Sequence, residues 1–265
     1  MSLHDKYARL TPFEIAFPED SAFSDLMVTI RTEAMERGLD PSNLQEFMSL
    51  TTVGKAVRDF TAEDERPGVA HRYAGLLFHG VSFVAAGSRL FLLETGATRH
   101  LIGHSASALP RPPVSAGYLQ LPQHLFWSGG TGDQRPESLD GMFWNVSGAG
   151  SLHVMVITGL LPERPGFGAF TLPEAPVADA SEWLHVQVRD TGDDFSSGLE
   201  GGELDQLYSV EAAGEILKFL ARFFAYVSEK GELAEAMLAP SDNSGPRPSD
   251  LPYVRVQFGE PGQHG

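Results

Sequence analysis

Apolar residues in the first quarter of the chain recur at helical spacing. Phe23, Met27, Ile30 and Ala34 predict a helix over residues 21–37, with Gly38 as its C′ stop. Asp40 and Pro41 read as an N-cap followed by Pro at the first helical position. The helix they open is carried to about residue 60 by Leu44, Phe47, Met48, Leu50, Val53 and Val57. A third apolar run starts near Val69, after Pro67 and Gly68. Its Tyr73, Leu76, Leu77, Val81 and Val84 fit a helix buried over most of its surface.

Beyond residue 88 the pattern becomes that of strands. Residues 89–94 and 97–102 flank Thr95 and Gly96, a hairpin pattern. Residues 117–121 and 124–127 are short strands separated by Pro122, which marks an edge or a bend. Residues 141–146 and 151–158 flank Gly148, Ala149 and Gly150, the clearest hairpin in the chain. Residues 167–172 and 182–188 complete about eight strands, which predicts a bent sheet, a sandwich or a small barrel. The strands are not spaced by helices, which argues against a doubly wound parallel sheet.

Over residues 209–228, Val210, Ala213, Leu217, Leu220, Phe224 and Val227 keep the helical period, giving an amphipathic helix broad enough to cover a sheet. Residues 232–238 read as a further short helix. The stretch PSDNSGPRPSDLP after Ala239 has linker composition, YVRVQF over 253–258 alternates like an edge strand, and GEPGQHG reads as a disordered tail. The expected fold is α+β: a helical part (19–88), a central, mostly antiparallel β-module (89–188) and C-terminal helices (209–238), the long amphipathic one packed on the sheet. These form one compact unit over residues 19–239, and residues 240–265 supply linker, edge strand and tail.

Composition narrows the function classes. The 265 residues include 35 acidic and 19 basic side chains, a net charge of −16. Such a field repels nucleic acid and anionic membranes, so neither is an expected partner. The absence of cysteine removes disulfides, thiolate metal sites and thiol catalysis. No apolar leader stands at the N-terminus, and the most apolar stretch, residues 73–93, is broken by Gly75, His79, Gly80, Gly87, Ser88 and Arg89. The chain therefore reads as a soluble, cytoplasmic protein.

Few residue patterns carry chemistry. Residues 103–107, GHSAS, resemble the G-x-S-x-G nucleophile elbow, but Ser107 replaces the final Gly. Pro110, Pro112 and Pro113 also fall where the elbow's helix must run. A surface turn is the stronger reading, and a serine hydrolase using Ser105 is an alternative. His100 and His104, read on strand and turn, lie about 13 Å apart, too far for one ion. Gly129, Gly130 and Gly132 lack the Lys-Ser/Thr of a phosphate loop, so no cofactor is indicated. Nine histidines leave a His or His/carboxylate metal site open.

Asp190, Asp193 and Asp194 belong to an acidic region, residues 174–205, with nine acids and Arg189 as its single base. This is a solvated loop or a contact surface for a basic partner. Trp127 and Trp144, with His124 and His153, are the candidate ligand residues of the central strands, where one aromatic of each Phe-Trp pair should face the core. The leading expectation is a non-enzymatic binding or regulatory protein acting through protein contacts or self-association, with YVRVQF free to extend a sheet. A small-molecule binder with an aromatic pocket is the second alternative.

Overall fold

A computed structural model describes residues 8–17, 20–63, 68–103, 110–123, 125–128, 137–159, 167–172, 174–176, 208–210, 213–229, 233–236, 249–251 and 253–257. The chain opens with a one-turn helix, α1 (Pro12–Ala16), set by a capping box. Glu14 N donates to Thr11 Oγ1, Thr11 N donates to Glu14 Oε2, and Pro12 fills the first helical position. Next come α2 (Asp20–Glu36), α3 (Leu44–Met48), α4 (Thr51–Glu63) and α5 (Val69–Ala85). The predicted first and third helices thus appear where their periodicity puts them.

The predicted helix to residue 60 is two helices. Asn43, rather than Asp40, caps α3 by accepting from Gln45 N and Glu46 N. The chain then stops at Ser49, and α4 starts afresh because α2 caps it from the side. Glu33 accepts from Thr51 N at 2.7 Å and Thr52 N at 2.8 Å. Hydrogen bonds from Thr52, then Thr51 and Arg37, hold the Glu33 carboxyl down at about 2.

The strands are β1 (Leu90–Leu93), β2 (Ala116–Gln120), β3 (Phe126–Ser128), β4 (Glu137–Val146), β5 (Ser151–Thr158), β6 (Gly168–Thr171), β7 (Ala175–Pro176), β8 (Tyr208–Val210), β9 (Leu233–Ala236) and β10 (Tyr253–Val256). Helices α6 (Thr95–Ile102) and α7 (Ala213–Ser228) are interposed. One mixed, open sheet runs β6-β5-β4-β2-β1-β10-β9, with β3, β7 and β8 off this path. It is neither sandwich nor barrel.

Four local expectations are corrected. The hairpin over residues 89–102 is instead β1 followed by α6, because β1 pairs parallel with both β2 and β10, and parallel neighbours need a crossover. Residues 233–236, expected as helix, form β9 against β10. The C-terminal strand is no free edge, since β10 is paired by β1 on one side and β9 on the other. Residues 208–210, overlapping the start of the predicted helix, pair with β3 as β8. The predicted strand over 182–188 lies outside the described residues.

The central strands are buried on both faces. Phe91, Leu119, Met142, Trp144 and Val154 pack with Leu217, Leu220, Phe223 and Phe224 of α7 and with Ala97 and Leu101 of α6. Leu90, Leu92, Tyr118, Phe143, Met155 and Ile157 face the other way, toward Leu76 and Phe83 of α5 and Phe13 of α1. A further layer joins α5 to α2, α3 and α4 through Met27, Ile30, Phe47, Val53 and Leu77. Phe143 and Trp144 are therefore both core, on opposite faces. Trp144 lies across Gly117, its register partner, where an added Cβ would sit 2.5 Å from the indole. Its Nε1 donates to Val114 O at 3.1 Å.

A β-bulge at Asp140 breaks the β4–β5 register between Leu139 and Gly141. Asp140 is buried, as is Gln120. The segment ahead of α1 meets both. Arg9 N donates to Gln120 Oε1, Gln120 Nε2 donates back to Arg9 O, and Arg9 Nη2 donates to Leu121 O at 2.9 Å. The guanidinium lies 3.8 Å from the Asp140 carboxylate.

Gly141 has no room for a side chain. A Cβ there would stand 2.5 Å from both Leu119 O and Tyr118 Oη, and the carbonyl cannot move without breaking the ladder. Gly141→Ala should destabilise the protein by about 1–3 kcal/mol or more. Gly96→Ala in α6, where a Cβ meets nothing within 4 Å, should instead raise stability by about 0.4–1 kcal/mol. Urea midpoints for the two variants should move in opposite directions. A Gly141→Ala midpoint at or above wild type would refute this packing.

Candidate ligand cleft

Helix α5 is apolar on the face that meets the sheet, and one polar residue interrupts that face. Leu76 and Phe83 are buried against the strands, and His79, three residues on from Leu76 and four before Phe83, falls between them. Its imidazole is 2 % exposed and stacks on Phe143 at 6.0 Å. Nδ1 has no hydrogen-bond partner.

Two residues from the sheet share this region. His153 on β5 lies directly opposite Asn145 on β4, so both side chains share one face of the sheet. Asn145 is 1 % exposed, and neither its Oδ1 nor its Nδ2 has a partner. His153 is buried, with its ring edge-on to Phe78 at 5.2 Å and Nε2 3.9 Å from Glu174 Oε1.

His79 and His153 border a cavity of about 220 Å³ between α5, the end of the sheet and α3. Leu44, Met48, Ala74 and Phe78 supply its apolar walls, and Val154 and Leu172, members of the core on the α7 side of the sheet, border it. His71, Thr171 and Glu174 add polar groups, Glu174 with its side chain more than half exposed. Leu44 and Met48, one helical turn apart on α3, are both part-exposed. The loop before α3 is tied to the β4–β5 turn, where Gly148 N donates to Ser42 Oγ at 3.1 Å.

Burial dominates the electrostatics here. It pushes His79 down to about 3, with the neighbouring His153 acting in the same direction. Burial also lowers His153, against the opposing pull of Glu174. Both rings are thus neutral at pH 7, each with one donor and one acceptor nitrogen. Among the described residues, no group of three or more His, Asp or Glu is arranged to hold a metal ion.

Two other hollows differ in kind. A cleft of about 260 Å³ beside α1 is lined by Phe13, Phe17, Phe23 and Phe83 with Glu14. Glu14 is already engaged by Thr11, Ser249 and Asp250 N. A groove on α2 is bordered by exposed Val28, Arg31 and Met35. The cleft at α5 combines apolar walls with a buried histidine whose Nδ1 has no partner.

Of the sequence-derived ligand residues, His153 is in this cleft. Trp144 is in the core on the opposite face of the sheet, and Trp127 is half-buried on β3, away from the cleft. His124, Ser105, Asp190, Asp193 and Asp194 lie outside the described residues. Residues 95–102, leading toward Ser105, form a helix where a nucleophile elbow requires a strand. His100 is on that helix, its ring 5.8 Å from Tyr226. His79 is a residue of this cleft that sequence reasoning did not single out.

No helix among the described residues is long and apolar enough to cross a membrane. Comparison with known proteins found no similarity: no family model matches the chain, nor does any curated protein or solved structure.

The buried histidine makes stability depend on pH. With His79 at about 3 in the folded chain against an ordinary 6.5, the unfolded chain takes up its proton first on acidification. The term is absent above pH 6.5 and grows as pH falls, reaching about 2 kcal/mol at pH 5 and on the order of 5 kcal/mol near pH 3. His153 adds to it in the same sense. Chemical denaturation from pH 7.5 to 5 should show wild type losing stability faster than His79→Leu, and parallel curves would refute the assignment.

Proposed function

We propose that the protein binds a small, largely apolar molecule in the cleft between α5, α3 and β5. The observation that carries this reading is His79, a buried imidazole that borders an apolar cavity and whose Nδ1 has no partner within the protein. Leaving a buried polar atom unsatisfied costs about 1–3 kcal/mol, and binding sites are where such costs recur. Apolar walls with a few convergent polar groups are the usual make-up of a ligand pocket.

A role through protein contacts has less to support it. The acidic residues Asp190, Asp193 and Asp194 lie outside the described residues, and the C-terminal strand already has neighbours on both sides.

Methionine-methyl NMR tests the binding reading directly. Met48 borders the cleft, the Met155 sulfur stands close to Gly75 in its wall, and Met35 is 77 % exposed on α2, outside it. A library of monocyclic fragments should shift the Met48 and Met155 signals and leave Met35 unmoved. Ala74→Trp, which fills the cleft, should abolish the shifts. Fragments that leave Met48 and Met155 unchanged, or shift them equally in Ala74→Trp, would refute the reading.

A further inference from the structure

We propose that the ligand of this cleft is a neutral, hydroxyl-bearing molecule of the phenol type, with one ring and about ten non-hydrogen atoms. This rests on the binding reading above and goes further by naming the chemistry recognised.

Size comes first. A dry apolar cavity of roughly 150 Å³ accommodates benzene. The cleft's 220 Å³ therefore holds a ring with a short substituent. Phe78 and the His153 ring give it aromatic walls.

Charge comes second. Among the described residues no Lys or Arg borders the cleft, while Glu174 stands at its rim. A carboxylate or phosphate would lose its hydration with no cation to meet it, next to a like charge. A cationic ligand would have Glu174 in reach but would place its charge against apolar walls, and that carboxylate is largely in solvent.

Hydrogen bonding comes third. The buried polar groups bordering the cleft, the imidazoles of His79 and His153, are neutral, and each has both donor and acceptor capacity. A hydroxyl offers one donor and two acceptor lone pairs, so it can satisfy whichever nitrogen a neutral imidazole presents. An ether, ketone or halide offers acceptance alone. The lowered basicity of both histidines agrees with a partner that brings no charge.

The test is a calorimetric series at pH 7.5 on the full chain, using 4-ethylphenol, ethylbenzene, 4-ethylbenzoate and 4-ethylbenzylammonium. 4-Ethylphenol should bind about tenfold tighter than ethylbenzene, the difference of one well-placed hydrogen bond. Both ions should bind more weakly than ethylbenzene. In His79→Leu the preference for the phenol over ethylbenzene should shrink to within about twofold, while ethylbenzene still binds. If that variant does not fold, imidazole ¹⁵N shifts of wild-type His79 or His153 must move with 4-ethylphenol and not with ethylbenzene. Ethylbenzene binding as tightly as the phenol, or either ion binding tighter, overturns the ligand class and leaves the binding reading standing. No binding by any of the four overturns both, unless the fragment library has already moved Met48 and Met155, in which case the phenol class alone falls.

Discussion

The central strands have no solvent face. Helices α6 and α7 cover one side and α1 and α5 the other, so each strand alternates between two cores rather than between core and water. This constraint governs every polar side chain on those strands. In an ordinary two-layer fold such a group turns outward at little cost. Here it must find a partner inside or carry an unsatisfied burial of about 1–3 kcal/mol. Gln120 meets Arg9 through two main-chain hydrogen bonds, and Asp140 lies beside the Arg9 guanidinium. The Trp144 indole reaches Val114 O. Asn145 and His79 find nothing, and they stand on the same side of the sheet as His153. Some polar residues of the interior thus fasten the chain, while His79 and His153 border one cleft.

The fastening residues explain why the N-terminal segment belongs to the core. Arg9 carries a charge inward, which is unfavourable unless paired and hydrogen-bonded. The bulge at Asp140 brings a carboxylate and a carbonyl to it, and the carbonyl of Leu121 adds a third acceptor. A few residues on, Glu14 accepts from Thr11 within its own capping box and from Ser249 and Asp250 near the C-terminus. Residues 9 and 14 therefore join both ends of the chain to the same part of the sheet. These contacts span more than a hundred positions, and no local pattern announces them.

Local patterns were legible where they were sufficient. The apolar spacings of α2 and α5 and the glycine-rich turn between β4 and β5 each specify their element without help from the rest of the chain. LFLL reads as a strand and is β1, but TGATRHLI at α6 does not show itself as a helix, because a short apolar crossover helix looks like a second strand. Glu33 capping α4 is likewise invisible in sequence. Two signals were present and unread. T-P-F-E at residues 11–14 is a capping box with Pro at the first helical position. His79 is a polar residue on the buried stripe of an otherwise apolar helix. His153 was legible as a candidate, while Trp127 and Trp144 were drawn in by aromatic content, which marks cores more often than sites.

On the proposed binding reading, the cleft's selectivity would follow from what surrounds it as well as what lines it. A chain of net charge −16 holds anions away from its surface by an amount that salt reduces within about 10 Å. Inside the cleft that screening fails, and desolvation decides instead. Both effects oppose an anionic ligand. For a cation the two act against each other, since the outer field attracts while the apolar walls reject. A neutral molecule meets neither barrier, and its polar group then determines how well it is held. Hydrogen-bonding capacity buried without a partner is poor for stability and well suited to discrimination, because the ligand that completes it recovers what the fold gave up. On the proposed binding reading, specificity would rest on one polar contact near His79 and His153 and affinity on the walls of Phe78, Ala74, Leu44 and Met48.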